Sequence, residues 1–149
     1  MLPNQLPRQG VTPALARFVA ETKWEDIPET VRHEAKRALL NFFAVAIAGC
    51  RTTPIELALQ QLAEFSGGKQ ATIVGRAERI DALSAAFLNA AGANVFDYCD
   101  THLPTVVHPT SPLAPAVLAM TELRKVTGPE LLLAFILGVE IECRVGCAI

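Results

Sequence analysis

Segments that can start a helix recur along the chain, and each is followed by apolar residues at helical spacing. Proline, which is favoured in the first turn of a helix, follows a capping or apolar residue at four of these starts. Asp81 and Thr127 are two further N-cap candidates, and Glu130 completes a capping box with Thr127. The four proline pairs begin at Thr12, Ile27, Thr53 and Ser111. Because apolar residues recur at i, i+3 and i+4 after these starts, the pattern predicts helices throughout.

The predicted fold class is all-α, a helical array of about six helices with at most one short strand. Gln70–Gly75 is β-prone, and it is expected to form either that strand or an extended connector. Residues 1–11 are expected to be an irregular amino-terminal arm. The predicted helices are Thr12–Thr22, a helix opened by Ile27 and Pro28 and ended by Gly49, Thr53–Phe65, Asp81–Asn94, Ser111–Leu123, and a last helix from Thr127 through Leu131–Val139.

Composition limits how these helices pack and what they can bind. A length of 149 residues suits one domain, and 51% apolar with only 6% aromatic residues favours closely packed, Ala-rich helices. Leu39–Cys50 is apolar all round, which predicts burial on most sides. The longest apolar runs are shorter than the roughly 20 residues of a membrane span. The formal charge of −2, without a basic cluster, argues against a nucleic-acid partner.

Cysteine usage and the start of the chain indicate a cytoplasmic location. The start has no apolar region typical of a secretory signal, so four reduced thiols are expected. Cys143 and Cys147 have i, i+4 spacing on a predicted helix, and they are interpreted as small core residues rather than metal ligands. No membrane association is expected.

Polar, chemically capable residues are concentrated between Asn94 and Ser111. The segment holds two of the three histidines, two carboxylates and the only tyrosine, whereas the flanking chain is rich in Ala and Leu. A long irregular connection in a small helical domain is more often functional than not. The segment is therefore predicted to be an active-site loop at the mouth of an apolar helical array.

Residue chemistry suggests roles within this loop. His108 precedes Pro109, so its backbone should be extended, and histidine suits proton transfer near neutral pH. Asp97 and Asp100, at i, i+3, would face the same way in a helical turn and orient the imidazole. Thr110 and Ser111 stand at a predicted helix start, where backbone N–H groups favour a carboxylate.

Structural alternatives accompany these roles. Ser111 is more readily an N-cap than a substrate ligand, and Asp100 with Thr101 could form a turn or cap. His33 is predicted to lie on the surface of the second helix. His102 and His108 are six residues apart on a loop, which fixes no geometry, so no metal site is expected from them.

Three groups of residues resemble the MmgE/PrpD family. The first runs from Asn89 to His102. The second is His108 followed by Pro-Thr-Ser-Pro, with Pro115-Ala-Val-Leu-Ala shortly after. The third comprises the helical runs Ala38–Gly49 and Gly128–Gly146. The resemblance covers nearly all of the chain beyond residue 12, and the combination of motifs is specific.

The resemblance implies a lyase that acts on a small polycarboxylate without a metal or organic cofactor. The family includes 2-methylcitrate dehydratase, cis-aconitate decarboxylase and an iminodisuccinate epimerase, and its members are typically homodimers. Asp97, Thr101 and His108 match family active-site positions, whereas Cys99 stands where the family often has a second Asp. His108, Asp97 and Asp100 are therefore the expected catalytic residues. The expected substrate ligands are Thr101, His102, Thr110 and Ser111.

Dehydration of a 2-methylcitrate-like hydroxy acid is the expected reaction, and decarboxylation or epimerisation of a polycarboxylate is the alternative. Family members have a large helical domain and a smaller α+β domain, so residues 1–149 are expected to be part of the helical domain, with the second domain absent. The chain is then a fragment, a split-gene product or a shortened homologue. It would form a homodimer or associate with a carboxy-terminal part. A further alternative is a catalytically inactive helical assembly module that exposes an apolar patch near Leu131–Ile149.

Overall fold

A computed structural model describes residues 10–148 and confirms the all-helical class. A short 3-10 helix, Trp24–Asp26, was not predicted. The strand expected within Gln70–Gly75 is β1, Ala71–Thr72, and it pairs antiparallel with a second short strand, β2, Arg79–Ile80, which was not predicted. The helices are α1 (Val11–Glu21), α2 (Glu29–Gly49), α3 (Thr53–Ala63), α4 (Ala82–Asn94), α5 (Thr110–Leu123) and α6 (Gly128–Gly146). The predicted arm, residues 1–11, falls almost wholly outside the described residues.

Local capping signals account for most helix starts. The Asp81 side chain accepts a hydrogen bond from the Ser84 N–H at 3.0 Å, as an N-cap residue should. Thr127 and Glu130 form the predicted capping box at the start of α6. The first helix starts at Val11 with Gly10 as its N-cap, so the prediction of a Thr12 cap is wrong by two residues.

The core consists of two apolar clusters, and α4 contributes to both. One cluster joins α2, α4, α5 and α6. The other joins α3, the two strands, α4 and α5. The buried members of the first are Ala35, Phe42, Val45, Ala46, Ala93, Ala114 and Phe135. Those of the second are Ile55, Ala71, Ile73, Ile80, Ala85, Leu88 and Ala119. Because many of these side chains are alanine, the helices approach each other closely, as the composition predicts.

The closest approach joins α2 to α4 through two glycines. A Cβ added to Gly49 would lie 2.0 Å from the carbonyl oxygen of Gly92, a distance that real Cβ atoms do not reach. A Cβ added to Gly92 would instead meet the Ala46 oxygen at an ordinary 3.8 Å. The contact therefore requires glycine at position 49 alone, and it holds the end of α4 against α2.

The prediction that Leu39–Cys50 is buried on most sides is wrong for one face. Leu40, Phe43 and Ile47, here called the α2 stripe, are 71%, 37% and 55% exposed. Their i, i+3, i+7 spacing places them on one side of α2, opposite the side that Phe42 and Val45 bury. The helix is thus two-sided in the described chain, and its outer side is apolar.

The described part of α6 does not show the apolar patch that was expected near Leu131–Ile149. In α6, Phe135 and Leu137 are buried, and Val145 is the large apolar side chain that is exposed among the described residues of this helix. Ile149 lies outside the described residues. No described helix is by itself both long enough and apolar enough to cross a membrane; α2 and α3 together meet the length and composition test, but they are bent by 85°.

The four cysteines are unpaired thiols in different environments. Cys50 is buried and donates to the Ile47 carbonyl. Cys143 is half-buried and Cys147 is exposed, so the interpretation of both as core residues is wrong for Cys147. His33 lies on the surface of α2, as predicted.

Exchange of each glycine for alanine tests the α2–α4 contact. We expect Gly49→Ala to destabilise the fold by roughly 1–3 kcal/mol, because the clashing atom is backbone and cannot rotate away. Gly92→Ala, the matched control, should be neutral or stabilise by up to about 1 kcal/mol through helix propensity. Urea unfolding of both variants measures the difference, and equal stability of the two would contradict this account.

Candidate active site

The loop between α4 and α5, residues 95–109, is irregular as predicted and contains two left-handed residues. Asp97 has a φ of 56°, and its N–H donates to the Asn94 carbonyl at 3.1 Å, which turns the chain just after α4. Val106 has a φ of 57°, which is unfavourable for a β-branched residue. Backbone strain of this kind is concentrated at functional sites.

The second left-handed residue closes a small loop that leads into His108. The His102 N–H donates to the Val107 carbonyl at 2.9 Å, and the Val106 N–H donates to the His102 carbonyl at 2.8 Å. The His102 ring bonds to the Thr105 hydroxyl, with Nδ1 and Oγ1 2.7 Å apart. His102 is therefore tied into this small loop, and the structure does not bring its Nδ1 to the His108 ring.

The His108 imidazole is held by one backbone carbonyl. Nδ1 lies 2.9 Å from the Asp100 carbonyl oxygen and 3.1 Å from the Thr101 hydroxyl. Since a carbonyl can only accept, Nδ1 carries the proton in the neutral ring, and Nε2 keeps its lone pair. The Asp97 carboxylate faces that nitrogen, with Oδ1 3.6 Å from Nε2. The arrangement gives a base with a fixed tautomer and a carboxylate that would stabilise its protonated form.

The Asp100 side chain points away from the imidazole and caps α5. Its Oδ2 accepts from the Thr110 hydroxyl at 2.6 Å, and its Oδ1 accepts from the Thr110 N–H at 3.3 Å. Thr110 is only 1% exposed. Asp100 thus positions His108 through its backbone. The predicted substrate contact from Thr110 would require this bond to open.

Two predictions about this region are wrong. Asp97 and Asp100 do not lie in a helical turn, because Asp97 is left-handed, and their carboxylates have different partners. Ser111 is not the N-cap: α5 starts at Thr110, and the side chain that caps its first N–H is Asp100, ten residues earlier in the chain.

Ser111 instead lies in a groove beside His108. The groove has a volume of about 320 Å³. The Ser111 Oγ is buried without a hydrogen-bond partner in the described structure. An unsatisfied buried hydroxyl costs free energy unless a ligand or water bonds it. The groove is lined by Phe87, Ala90, Ala91, Asn94, His108, Ser111 and Pro112.

Sequence reasoning missed two contributors to this site. Phe87 lines the groove, and its i, i+7 spacing to Asn94 on α4 could have indicated a shared face. Cys99 was treated only as a departure from the family pattern. Its Sγ lies within 4.8 Å of a ligand atom of both Asp97 and His108, and it donates to the Asn94 Oδ1 at 3.2 Å.

Acidic residues of α6 lie close to Asp100. Burial raises the pKa of the Glu142 carboxyl, and the negative charge of Asp100 raises it further. Burial likewise raises the pKa of the Cys143 thiol, with Glu142 as the next contribution. Asp100 and Thr110 also line a separate cavity of about 200 Å³ with Phe135 and Glu140 of α6. Asp100 is therefore an inner, positioning group between α5 and α6.

Comparison with known proteins identifies the family of this chain. The family model described as the MmgE/PrpD N-terminal domain matches residues 13–149. The chain belongs to the MmgE/PrpD family. It is 29% identical to the cis-aconitate decarboxylase-like protein oryM of Aspergillus oryzae, over 97% of this chain and 32% of that protein.

Two further relatives are named as cis-aconitate decarboxylases. The Aspergillus terreus protein is 28% identical over 95% of this chain and 30% of its own length. The Mus musculus protein is 28% identical over 91% of this chain and 29% of its own length. The chain thus spans about a third of these curated relatives, and a lyase-like family is supported.

Replacement of Val106 tests the strained turn. We expect Val106→Asn to stabilise the fold by about 1 kcal/mol, because asparagine tolerates the left-handed conformation that valine disfavours. Val106 is 71% exposed, so the exchange loses little packing. Val126→Asn, at an exposed valine outside the left-handed region, is the control and should not stabilise. Thermal unfolding gives both values, and a loss of stability in Val106→Asn would refute the strain.

Proposed function

We propose that this domain forms one wall of a lyase site for a small polycarboxylate, with His108 as the proton-transfer residue. The observation that carries the proposal is the bond between His108 Nδ1 and the Asp100 carbonyl, which leaves Nε2 free beside Asp97. A positioned imidazole with a fixed tautomer is suited to general acid–base catalysis.

His108 can serve either direction of proton transfer. As the neutral ring, Nε2 accepts a proton from a carbon beside a substrate carboxylate, and the Asp97 charge stabilises the imidazolium that forms. As the imidazolium, Nε2 returns a proton to a carbon that has lost carbon dioxide. Thr101 contacts the same ring at Nδ1, so its part is to support the orientation of the imidazole.

The groove beside His108 suits a small anion. Ser111 lines it from the first turn of α5, where the helix dipole favours negative charge, and the Ser111 hydroxyl is buried without a hydrogen-bond partner. We therefore assign Ser111 as a substrate ligand, and Thr110 as the residue that holds Asp100. Phe87 adds an apolar side chain to the lining of the groove.

Decarboxylation of a cis-aconitate-like acid is the first candidate reaction, because the relatives described above carry that name at 28–29% identity. Dehydration of a 2-methylcitrate-like acid, expected from the sequence, is the second candidate and uses the same base. Since the chain spans about a third of these relatives, we assign turnover to an assembly in which further residues supply the opposite wall.

Ligand binding and turnover test the assignment separately. Titration of the purified chain with cis-aconitate or 2-methylcitrate should shift the His108 imidazole NMR signals and leave those of exposed His33 in place. In the assembly that turns over substrate, His108→Gln should lower kcat by about 10²–10⁴-fold, because glutamine cannot transfer the proton. His33→Gln is the matched control. Unaltered turnover in His108→Gln would rule out His108 as the proton-transfer residue.

We propose that the partner of this domain is a second copy of the same chain, bound through α2. The α2 stripe exposes three large apolar side chains on one side of a helix whose other side is core. Contiguous apolar surface of this kind is typical of interfaces. The stripe then forms the dimer contact.

A cytoplasmic location remains a prediction from the sequence.

Light scattering tests this contact. We expect the chain to be dimeric at micromolar concentration, and Leu40→Lys with Ile47→Lys to make it monomeric without loss of helical circular dichroism. Leu83→Lys, at an 85% exposed position on α4, is the control and should remain dimeric. A wild-type chain that stays monomeric at every concentration would contradict the proposed interface.

A further inference from the structure

Asp97, Cys99 and His108 place three different metal-binding atoms in one small space. The carboxylate oxygen, thiol sulfur and imidazole nitrogen lie within 4.8 Å of one another, and they are the one such group of three or more found among residues 10–148. Neighbouring ligand atoms on tetrahedral zinc are about 3.3–3.8 Å apart, given bonds of about 2.0–2.3 Å. The Asp97 side chain is 80% exposed, so a small rotation can close the remaining gap.

Hydrogen bonds from outside the group already orient the imidazole. The Asp100 carbonyl accepts from His108 Nδ1 and leaves the Nε2 lone pair toward Asp97, and a backbone carbonyl on the distal nitrogen is common for zinc-ligating histidines. The Thr110 bond to Asp100 in turn fixes the residue that holds the ring. The Cys99 thiol donates to the Asn94 Oδ1 at 3.2 Å, and this bond is lost when the thiol gives up its proton to bind a metal. The second layer of contacts therefore supports the histidine ligand.

The donor set selects the kind of metal. Mg²⁺ and Ca²⁺ prefer oxygen ligands, whereas two of the three donor atoms here are sulfur and nitrogen. A thiolate, an imidazole and a carboxylate suit Zn²⁺, and three protein ligands leave a fourth position open to water. We propose that Asp97, Cys99 and His108 form a Zn²⁺ site, in which the metal takes the Nε2 lone pair of His108.

A bound Zn²⁺ would compete with proton transfer at the same nitrogen. This consequence rests on the proposed function of His108, whereas the metal site itself does not. Zn²⁺ should therefore inhibit the lyase assembly, and chelation should restore turnover. Cys99 is the residue that favours a soft metal, because it supplies the thiolate sulfur among the three ligands.

Cobalt substitution gives a readout that needs no turnover. Addition of Co²⁺ to the reduced, purified chain should produce a thiolate-to-cobalt charge-transfer band that saturates at one equivalent and is displaced by Zn²⁺. Cys99→Ser should abolish the band, and Asp97→Asn should weaken metal binding roughly tenfold or more. Cys147→Ser is the matched control at an exposed thiol outside the group, and its band should be unchanged.

The outcomes separate the two proposals. A band that persists in Cys99→Ser, or that is lost in Cys147→Ser, places the metal elsewhere and overturns the site. Absence of any band at one equivalent also overturns it, with circular dichroism used to verify that each variant is folded. The lyase proposal is untouched by either result, because it depends on the response of His108 to polycarboxylates and on His108→Gln.

Discussion

The approach of α2 to α4 at Gly49 and Gly92 sets the position of the groove-forming helix. No side chain separates the two backbones there, so α4 lies directly on α2 and its last turn is fixed. Asn94 ends that helix, and the left-handed Asp97 follows three residues later. The loop between α4 and α5 is consequently held at its start by helix packing, and at its end by the bond between Asp100 and Thr110 at the start of α5.

Local signals in the sequence predict the helices because each signal is complete within one turn. Asp81 bonds Ser84, and Thr127 bonds Glu130, both three residues away. The start of α5 was misread because its cap, Asp100, comes from across the loop, and no local pattern reports that contact. The positions of Asp97 and Cys99 were not predicted for a related reason. Asp97 turns the chain through a left-handed backbone conformation, and the sequence has no glycine there that would indicate such a turn.

The exposed half of α2 shows a second limit of sequence reasoning. An all-apolar run implies that every side needs a partner, but it does not say whether that partner lies in the same chain. Phe42 and Val45 find theirs in the core of this domain, whereas Leu40 and Ile47 do not among the described residues. Apolar composition therefore predicts a contact surface as readily as a core, and only the packing of the other helices separates the two.

Fixing the tautomer of His108 serves two kinds of chemistry equally well. The Asp100 carbonyl holds the proton on Nδ1, so Nε2 presents a lone pair that either a proton or a metal ion can take. Asp97 stabilises a positive charge at that position in both cases. What distinguishes the two uses is Cys99, because a thiolate strengthens metal binding far more than it helps proton transfer. If His108 transfers protons as proposed, the single side chain of Cys99 decides whether its Nε2 remains open to substrate when zinc is present.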